Sequence, residues 1–336
     1  MQGLTTKKTN KLILGVGLLG LSSVTLADGW DPTSVATTIN SIVNTRHNLT
    51  ISFSPDKRAF MNIGRNDYND VCVYCHTPHG ANKQIQAPLW NRTVNPGTYT
   101  IYDKETTIGL EGRMSLPGPS SLTCLSCHDG TIAIDSVLNM PGSGMNPQNG
   151  SISNAEVGFS NQAFLNTWSG AGGAGPSGVH FTLGPELGQG DKSSACAFCH
   201  DGSLLASGVP DYSVFMLGED LRNDHVIGVR FPTTFGPGID FNEPDVVIPG
   251  KWAFYDTNAN GYAEKNEVRL YDTGDGPEVE CASCHDPHGI PSNGVGTRFN
   301  PSFLRVNNGI TDTSTLGTAG ITSNGPSALC LTCHAK

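Results

Sequence analysis

Apolar residues in this 336-residue chain fall mostly in short runs broken by glycine, proline and small polar residues. One longer run, Leu12 to Leu21, follows Lys7, Lys8 and Lys11 and precedes Thr25-Leu26-Ala27. A positive start, an apolar stretch and a small-residue cleavage site read as a secretory signal over residues 1–27, so the mature chain is expected outside the cytoplasm. No later segment reaches the roughly 18 apolar residues of a membrane span, and no cysteine follows the cleavage site to carry a lipid. No membrane span is therefore expected after signal cleavage.

Beyond residue 27 the patterning predicts little regular structure. Short helical turns are predicted at Ser120 to Cys127, Asp191 to Phe198 and Ser327 to His334. Alternation in Val226-Ile227-Gly228-Val229-Arg230-Phe231 predicts a short strand. Lys251 to Tyr255 and Val268 to Tyr271 read as extended and suit a hairpin. The glycine-rich stretch Ser169 to Gly178 reads as a loop or linker. It divides the mature chain into an N-terminal region, 28–175, and a C-terminal region, 176–336, unless the two form one continuous domain.

Composition sharpens this picture. The 41 glycines and 21 prolines make 62 of 336 residues, and charged residues are only 15%. Globular averages are about 12% for the first pair and about 25% for the second, so long helices are not expected. Removing the three signal-peptide lysines leaves 17 basic residues (20 minus 3) against 30 acidic ones, a balance of −13. Nucleic acid and anionic membrane surfaces are poor partners for such a chain. Basic redox proteins, cations and mineral surfaces suit it better.

The candidate chemistry lies in the cysteines. All ten sit in Cys-x-x-Cys-His motifs: Cys72/Cys75/His76, Cys124/Cys127/His128, Cys196/Cys199/His200, Cys281/Cys284/His285 and Cys330/Cys333/His334. Two intervening residues put both thiols on one turn, where they can form thioethers with the two vinyl groups of one porphyrin edge. The next residue offers an imidazole to the iron. Disulfides and zinc sites also use Cys-x-x-Cys spacing, but neither explains a histidine after every second cysteine. Five covalently bound haem c groups are expected. The two regions divided at residue 175 then carry two and three of them.

Ten histidines are present and the motifs use five, leaving His47, His79, His180, His225 and His288. Five spare imidazoles for five irons predict bis-histidine ligation throughout, with Met61, Met114, Met140, Met145 and Met216 as competing sixth ligands. His79 and His288 each follow a motif histidine by three residues, in CVYCHTPHG and CASCHDPHG. Residues three apart emerge on one side of a helical turn, so each is expected to bind an iron other than its neighbour's. His47, His180 and His225 are free to close over the remaining irons, in a pairing the sequence leaves open. Two imidazoles favour lower potentials than histidine with methionine. Saturated irons pass electrons and offer no substrate site, so electron transfer is expected rather than catalysis.

Residues Asp256 to Glu267 (DTNANGYAEKNE) match the calcium loop D-x-[DN]-x-[DN]-G-x5-E at every defined position. Asp256, Asn258 and Asn260 would give side-chain oxygens, Tyr262 its carbonyl, Glu264 a direct or water-mediated contact and Glu267 a bidentate carboxylate, with Gly261 at the sharp turn. The two asparagines remove charge and suggest an affinity of about 10⁻⁴ to 10⁻³ M. The alternative is a hairpin turn rich in asparagine and glycine.

The two CxxCHxPHG motifs, the CxxCHDG pair at Cys124 and Cys196, the terminal CLTCH and the segments around His47 and His225 resemble the doubled-CXXCH multihaem c-type cytochromes of anaerobic, metal-reducing bacteria. The resemblance covers most of the mature chain, with the motifs as its specific part. It implies an irregular fold, mostly coil with short helical turns and a few short strands, organised around five stacked c-type haems. Extracellular electron transfer to other redox proteins or acceptors such as metal oxides is implied, at or beyond the cell surface or, alternatively, in the periplasm. Some members polymerise into filaments in which a histidine of one subunit ligates an iron of the next, although the described ones carry other haem numbers. His79 and His47 are the candidates for that role here. The main competing expectation is a multihaem reductase of nitrite or a similar small molecule, which needs one open iron, often beside a Cys-x-x-Cys-Lys motif that this chain lacks. A calcium-bound surface module whose haems serve adhesion or storage is the third.

Overall fold

The computed structural model describes residues 41–50, 68, 70–96, 99–102, 116–139, 145–146, 150–151, 173–175, 178–180, 182–184, 196–204, 211–291, 299–306 and 327–335. The signal segment, Met61, Met114, Met140 and the start of the turn predicted from Asp191 lie outside them.

The α-helices among the described residues form at the cysteine motifs. α1 spans Pro119–His128, α2 Ala197–His200, α3 Cys281–Cys284 and α4 Ala328–Cys333, while the first motif makes a 3-10 turn at Cys72–Tyr74. The spacing itself explains this, since Cys-x-x-Cys-His is one helical turn long. The histidine N–H returns to the first cysteine's carbonyl at His76 (2.8 Å), His200 (3.0 Å), His285 (3.1 Å) and His334 (2.8 Å). α1 runs longer than the others because Pro119 pre-sets its first turn. Ser327 caps α4 by accepting the Cys330 N–H.

Strands are short. β1 (Met145–Asn146) pairs with β2 (Gly150–Ser151), and β3 (Gly173–Gly175) with β4 (Gly178–His180). Part of the glycine-rich stretch thus lies in strand pairing. β5 (Val229–Arg230), β6 (Val246–Ile248), β7 (Trp252–Phe254), β8 (Arg269–Asp272) and β9 (Pro277–Val279) build an antiparallel sheet of order β5-β9-β8-β7-β6. β7 falls within the first of the two extended segments read from the sequence and β8 overlaps the second, running one residue past it to Asp272; the two pair through Ala253 and Leu270. β9 runs directly into Glu280 and α3, so the sheet fixes where the fourth motif starts.

Some of the buried apolar residues gather in four small clusters, each touching a motif, while others, among them Trp90, Phe254, Tyr255, Val268 and Phe299, lie outside these clusters. Tyr68, Val73, Tyr74 and Val137 pack beside Cys75; Tyr99, Leu125 and Leu221 surround α1; Ala197 and Met216 pack beside Cys196; Phe231, Phe241, Ala253 and Leu270 pack beside Cys333. Several residues between paired cysteines therefore face inward: Val73, Tyr74, Leu125, Ser126, Ala197 and Ser283 are buried. Among the described residues no helix is long and apolar enough to cross a membrane.

Candidate metal centres

None of the ten cysteines is in a disulfide; Cys72 and Cys330 are exposed and the other eight half-buried. Cysteine is among the residues most often fully buried, and none of these ten residues is fully buried. Burial still raises several of them: Cys75 and Cys284 are pushed up to about 12 and Cys333 to about 11. The thiols of Cys124 and Cys281 lie close enough to influence one another, where the second and fourth motifs come together.

Five of the ten imidazoles share one pattern. His76 donates from Nδ1 to the Pro88 carbonyl (2.9 Å), His128 to Phe215 (2.7 Å), His285 to Ser302 (2.6 Å), His47 to Pro287 (2.7 Å) and His225 to Val226 (3.1 Å). A carbonyl oxygen can only accept, so each Nδ1 carries the hydrogen and each Nε2 keeps its lone pair. His288 makes the equivalent contact to the Asp286 carboxylate at 3.1 Å. Metal-binding histidines characteristically donate their second nitrogen this way, which fixes the ring and raises its basicity. Burial lowers His128 and takes His47 down to about 4, keeping both rings in the neutral form that can ligate.

Two motif histidines face spare ones. The rings of His76 and His288 have centroids 6.3 Å apart and lie 6° from parallel. Those of His47 and His128 are 6.4 Å apart and 76° from parallel. His47 also stacks on Phe303 at 4.3 Å, and His200 on Tyr212 at 4.1 Å. His334 lies against Phe241 at 5.0 Å. His225 lies within electrostatic range of His285, and the ring of His79 is exposed. For His180 only its place at the end of β4 is described, and Met145 likewise has only its place in β1. Met216 is buried against Ala197 of the third motif.

No protein-family model matches the chain, and no curated protein matches it.

Three features of the centres carry a sequence signal that counting cysteines and histidines does not use. The residue after the motif histidine is aspartate in motifs two, three and four, and each accepts the N–H two residues on: Asp129 from Thr131 (2.8 Å), Asp201 from Ser203 (3.0 Å) and Asp286 from His288 (3.0 Å). These turns bend the chain away as soon as the imidazole is placed. Burial raises the Asp286 carboxyl, but hydrogen bonds from His288 and the Arg305 charge outweigh it and hold the group at about 2. Arg92, fully buried, donates to the carbonyls of Ser126, Ala133, Ile134 and Ser136 and so clamps the end of α1 and the segment after it. Glu280 is the third. Its carboxylate takes the Gly118 N–H at the start of α1 (3.0 Å), the Ser121 hydroxyl and a backbone N–H of α3, bracing two motif helices against each other.

The loop from Asp256 to Glu267 is folded through its own side chains. Asp256 accepts the N–H groups of Asn260 (3.1 Å) and Gly261 (2.7 Å), Asn258 that of Asn260, and Asn260 that of Tyr262 (2.8 Å), with Gly261 at φ +78°. The Asn258 and Asn260 amides donate to Glu264 (2.9 and 3.1 Å). Glu267 is buried and accepts from the Thr257 and Glu264 backbones. Among the described residues no three His, Cys, Asp or Glu side chains converge on one point. An ion there would require the two amides to turn their oxygens inward and release Glu264.

Proposed function

We propose that this protein is a secreted pentahaem c-type cytochrome that conducts electrons through closely spaced bis-histidine haems in extracellular electron transfer. The observation that supports this best is the shared use of Nδ1 in five of the ten histidines: His47, His76, His128, His225 and His285 each spend that nitrogen on a backbone carbonyl, which leaves Nε2 for a metal. The partly open cysteine pairs, none in a disulfide, fit covalent attachment, and three of these imidazoles face a second imidazole: His47 and His128 each other, and His76 the ring of His288. Bound haem supplies an iron that exchanges one electron at a time. The chain's residues hold it: Cys72, Cys75, Cys124, Cys127, Cys196, Cys199, Cys281, Cys284, Cys330 and Cys333 anchor the porphyrins, and the histidines that follow each pair provide the fifth ligands. Spare histidines provide the sixth, and saturated irons leave no place for a substrate.

The acidic balance of the mature chain suits basic redox partners and mineral surfaces such as metal oxides. A second copy is a further partner in this reading. His47 already faces His128 within the chain, so the exposed His79 is the residue that would reach a neighbouring subunit and extend the protein into a filament. One calcium ion at Asp256–Glu267 belongs to the same reading as a weak structural ligand.

Native mass spectrometry of protein secreted by a host competent for haem attachment, in millimolar calcium, reads all three parts together. Five haems and one calcium per chain are expected, with a ladder of assemblies if the filament forms. The reduced protein should be entirely low-spin and should not bind carbon monoxide. An iron that takes carbon monoxide, together with nitrite turnover, would overturn conduction in favour of a reductase.

A further inference from the structure

Two parallel rings in direct contact sit close together, as His200 and Tyr212 do at 4.1 Å and 4°. His76 and His288 are just as parallel at 6°, yet their centroids are 6.3 Å apart. His47 and His128 keep nearly the same separation, 6.4 Å, at a wholly different angle, 76°. A separation that holds while the angle changes is not set by ring–ring contact. An imidazole nitrogen lies about 2.0–2.1 Å from a first-row metal and about 1.1 Å from its ring centre, so two rings on opposite sides of one ion have centroids about 6.2–6.4 Å apart at any angle. Both pairs match that figure. In each pair the Nδ1 of both rings is tied back to the chain: to Pro88 and Asp286 in the first, to Pro287 and Phe215 in the second.

We propose that His288 is the sixth ligand of the iron held by His76, and His47 the sixth ligand of the iron held by His128, the first with parallel imidazole planes and the second with crossed planes. The assignment rests on the five-haem reading above. It makes each of these two haems a tether between distant segments. His288 stands three residues after His285, so the first and fourth motifs share one loop. His47, held by the Pro287 carbonyl at 2.7 Å, docks on that same loop. The fourth motif is consequently the junction of the molecule, since its Cys281 also meets Cys124 of the second.

The two irons differ electronically. Parallel imidazole planes donate along one direction and split the two iron orbitals of π symmetry widely, which gives a rhombic ferric spectrum with resolved g values. Crossed planes donate along both directions and leave those orbitals nearly equal, which gives a single feature at large g.

Electron paramagnetic resonance of the frozen, oxidised holoprotein tests this, with the full-length variants His47→Met and His288→Met. Both kinds of signal are expected in the unaltered protein. His47→Met should lose a large-g component and gain the far-red absorption of an iron–methionine bond, with one potential raised. His288→Met should keep that large-g component and lose a rhombic one. A holoprotein with five low-spin haems but no large-g feature overturns the crossed pair without any variant, and a five-haem His47→Met protein that keeps every large-g component overturns the His47 assignment. For a variant that folds poorly, His47→Gly with added imidazole supplies the replacement ligand: the added base should convert one of five haems from high to low spin, and no conversion overturns the assignment. A preparation with fewer than five haems defeats the underlying reading instead, so the two failures are separable.

Discussion

Glu280 shows how much one side chain can govern. It is 1% exposed, and it braces α1 and α3 through Gly118 and Ser121. Burial pushes its carboxyl up to about 7, against the opposing pull of the hydrogen bonds from Ser121 and Gly118. In the unfolded chain the group titrates at its ordinary value near 4.5. Between those two values the folded state binds more protons than the unfolded one, so this group's contribution to stability is present in full below about 4.5 and declines as pH rises through about 7. A shift of this size corresponds to a loss on the order of 3 kcal/mol across the window. Glu280→Gln keeps the shape and removes the titration. Urea unfolding of the holoprotein at pH 5 and pH 7.5 should show a smaller difference for the variant than for the unaltered chain, and an unchanged difference would show that Glu280 does not titrate in this range. Arg92 presents the opposite case. Its charge is buried among carbonyls and a hydroxyl, so the guanidinium fork is satisfied by geometry.

At the scale of elements, the motif loops depend on where the chain turns. Gly289 adopts φ +82°, and a Cβ there would lie 2.8 Å from Phe299 and 3.2 Å from Thr45. That close approach lets the His288 loop lie against the segment bearing His47. Left-handed backbone costs a non-glycine residue about 1–2 kcal/mol before any clash is counted. Gly289→Ala should therefore lower the thermal midpoint of the holoprotein and open a carbon monoxide-binding fraction, because both His47 and His288 lose their seating. An unchanged midpoint with fully low-spin spectra would refute that coupling. The glycine was visible beforehand as the last residue of the repeated CxxCHxPHG, and Gly80 adopts φ +68° at the matching position. Other elements were legible for equally local reasons. Ser120 to Cys127 read as helical and lies inside α1, and the two extended segments around Trp252 and Leu270 are β7 and β8. The flanking strands β6 and β9 were not legible, since three-residue strands carry too little alternation and Pro277 argues against one. Of the strand predicted over Val226 to Phe231, only Val229–Arg230 forms β5, while the Gly228 and Phe231 N–H groups still bond to the β9 carbonyls of Val279 and Pro277. Facing of imidazoles was illegible altogether. It joins His76 to His288 across most of the chain, and no local pattern records such a contact.

For the whole molecule, the decisive feature is how the apolar residues are divided. Each of the four clusters holds only two to four buried residues, and each leans on a cysteine motif or the helix that carries it. Fixing one residue's backbone costs roughly 1–2 kcal/mol, and a buried aliphatic or aromatic side chain returns about 1.5–3 kcal/mol, so clusters this small cannot hold the described segments in place alone. The sheet is the strongest candidate for independent order. Its strands, however, are two to four residues long; Ala253 and Leu270 pack with Phe231, Phe241 and Cys333 of the fifth motif, and Val229, Phe254, Tyr255 and Val268 are buried beside them. Strands in globular proteins most often run about five to six residues, and a sheet of three or more strands needs a substantial apolar face to stand alone; five strands this short offer little of one. The missing apolar surface and the long-range links are what covalently held porphyrins and their paired imidazoles would supply, much as metal binding supplies the folding energy of small metal-dependent domains. The chain exported by a host that cannot attach haem should therefore be unfolded, with a disordered far-ultraviolet circular dichroism spectrum and no cooperative thermal transition. A haem-free chain that melts cooperatively with the signature of an antiparallel sheet would show that the β5-β9-β8-β7-β6 unit folds by itself. The role of the cofactor would then shrink from building the molecule to occupying it.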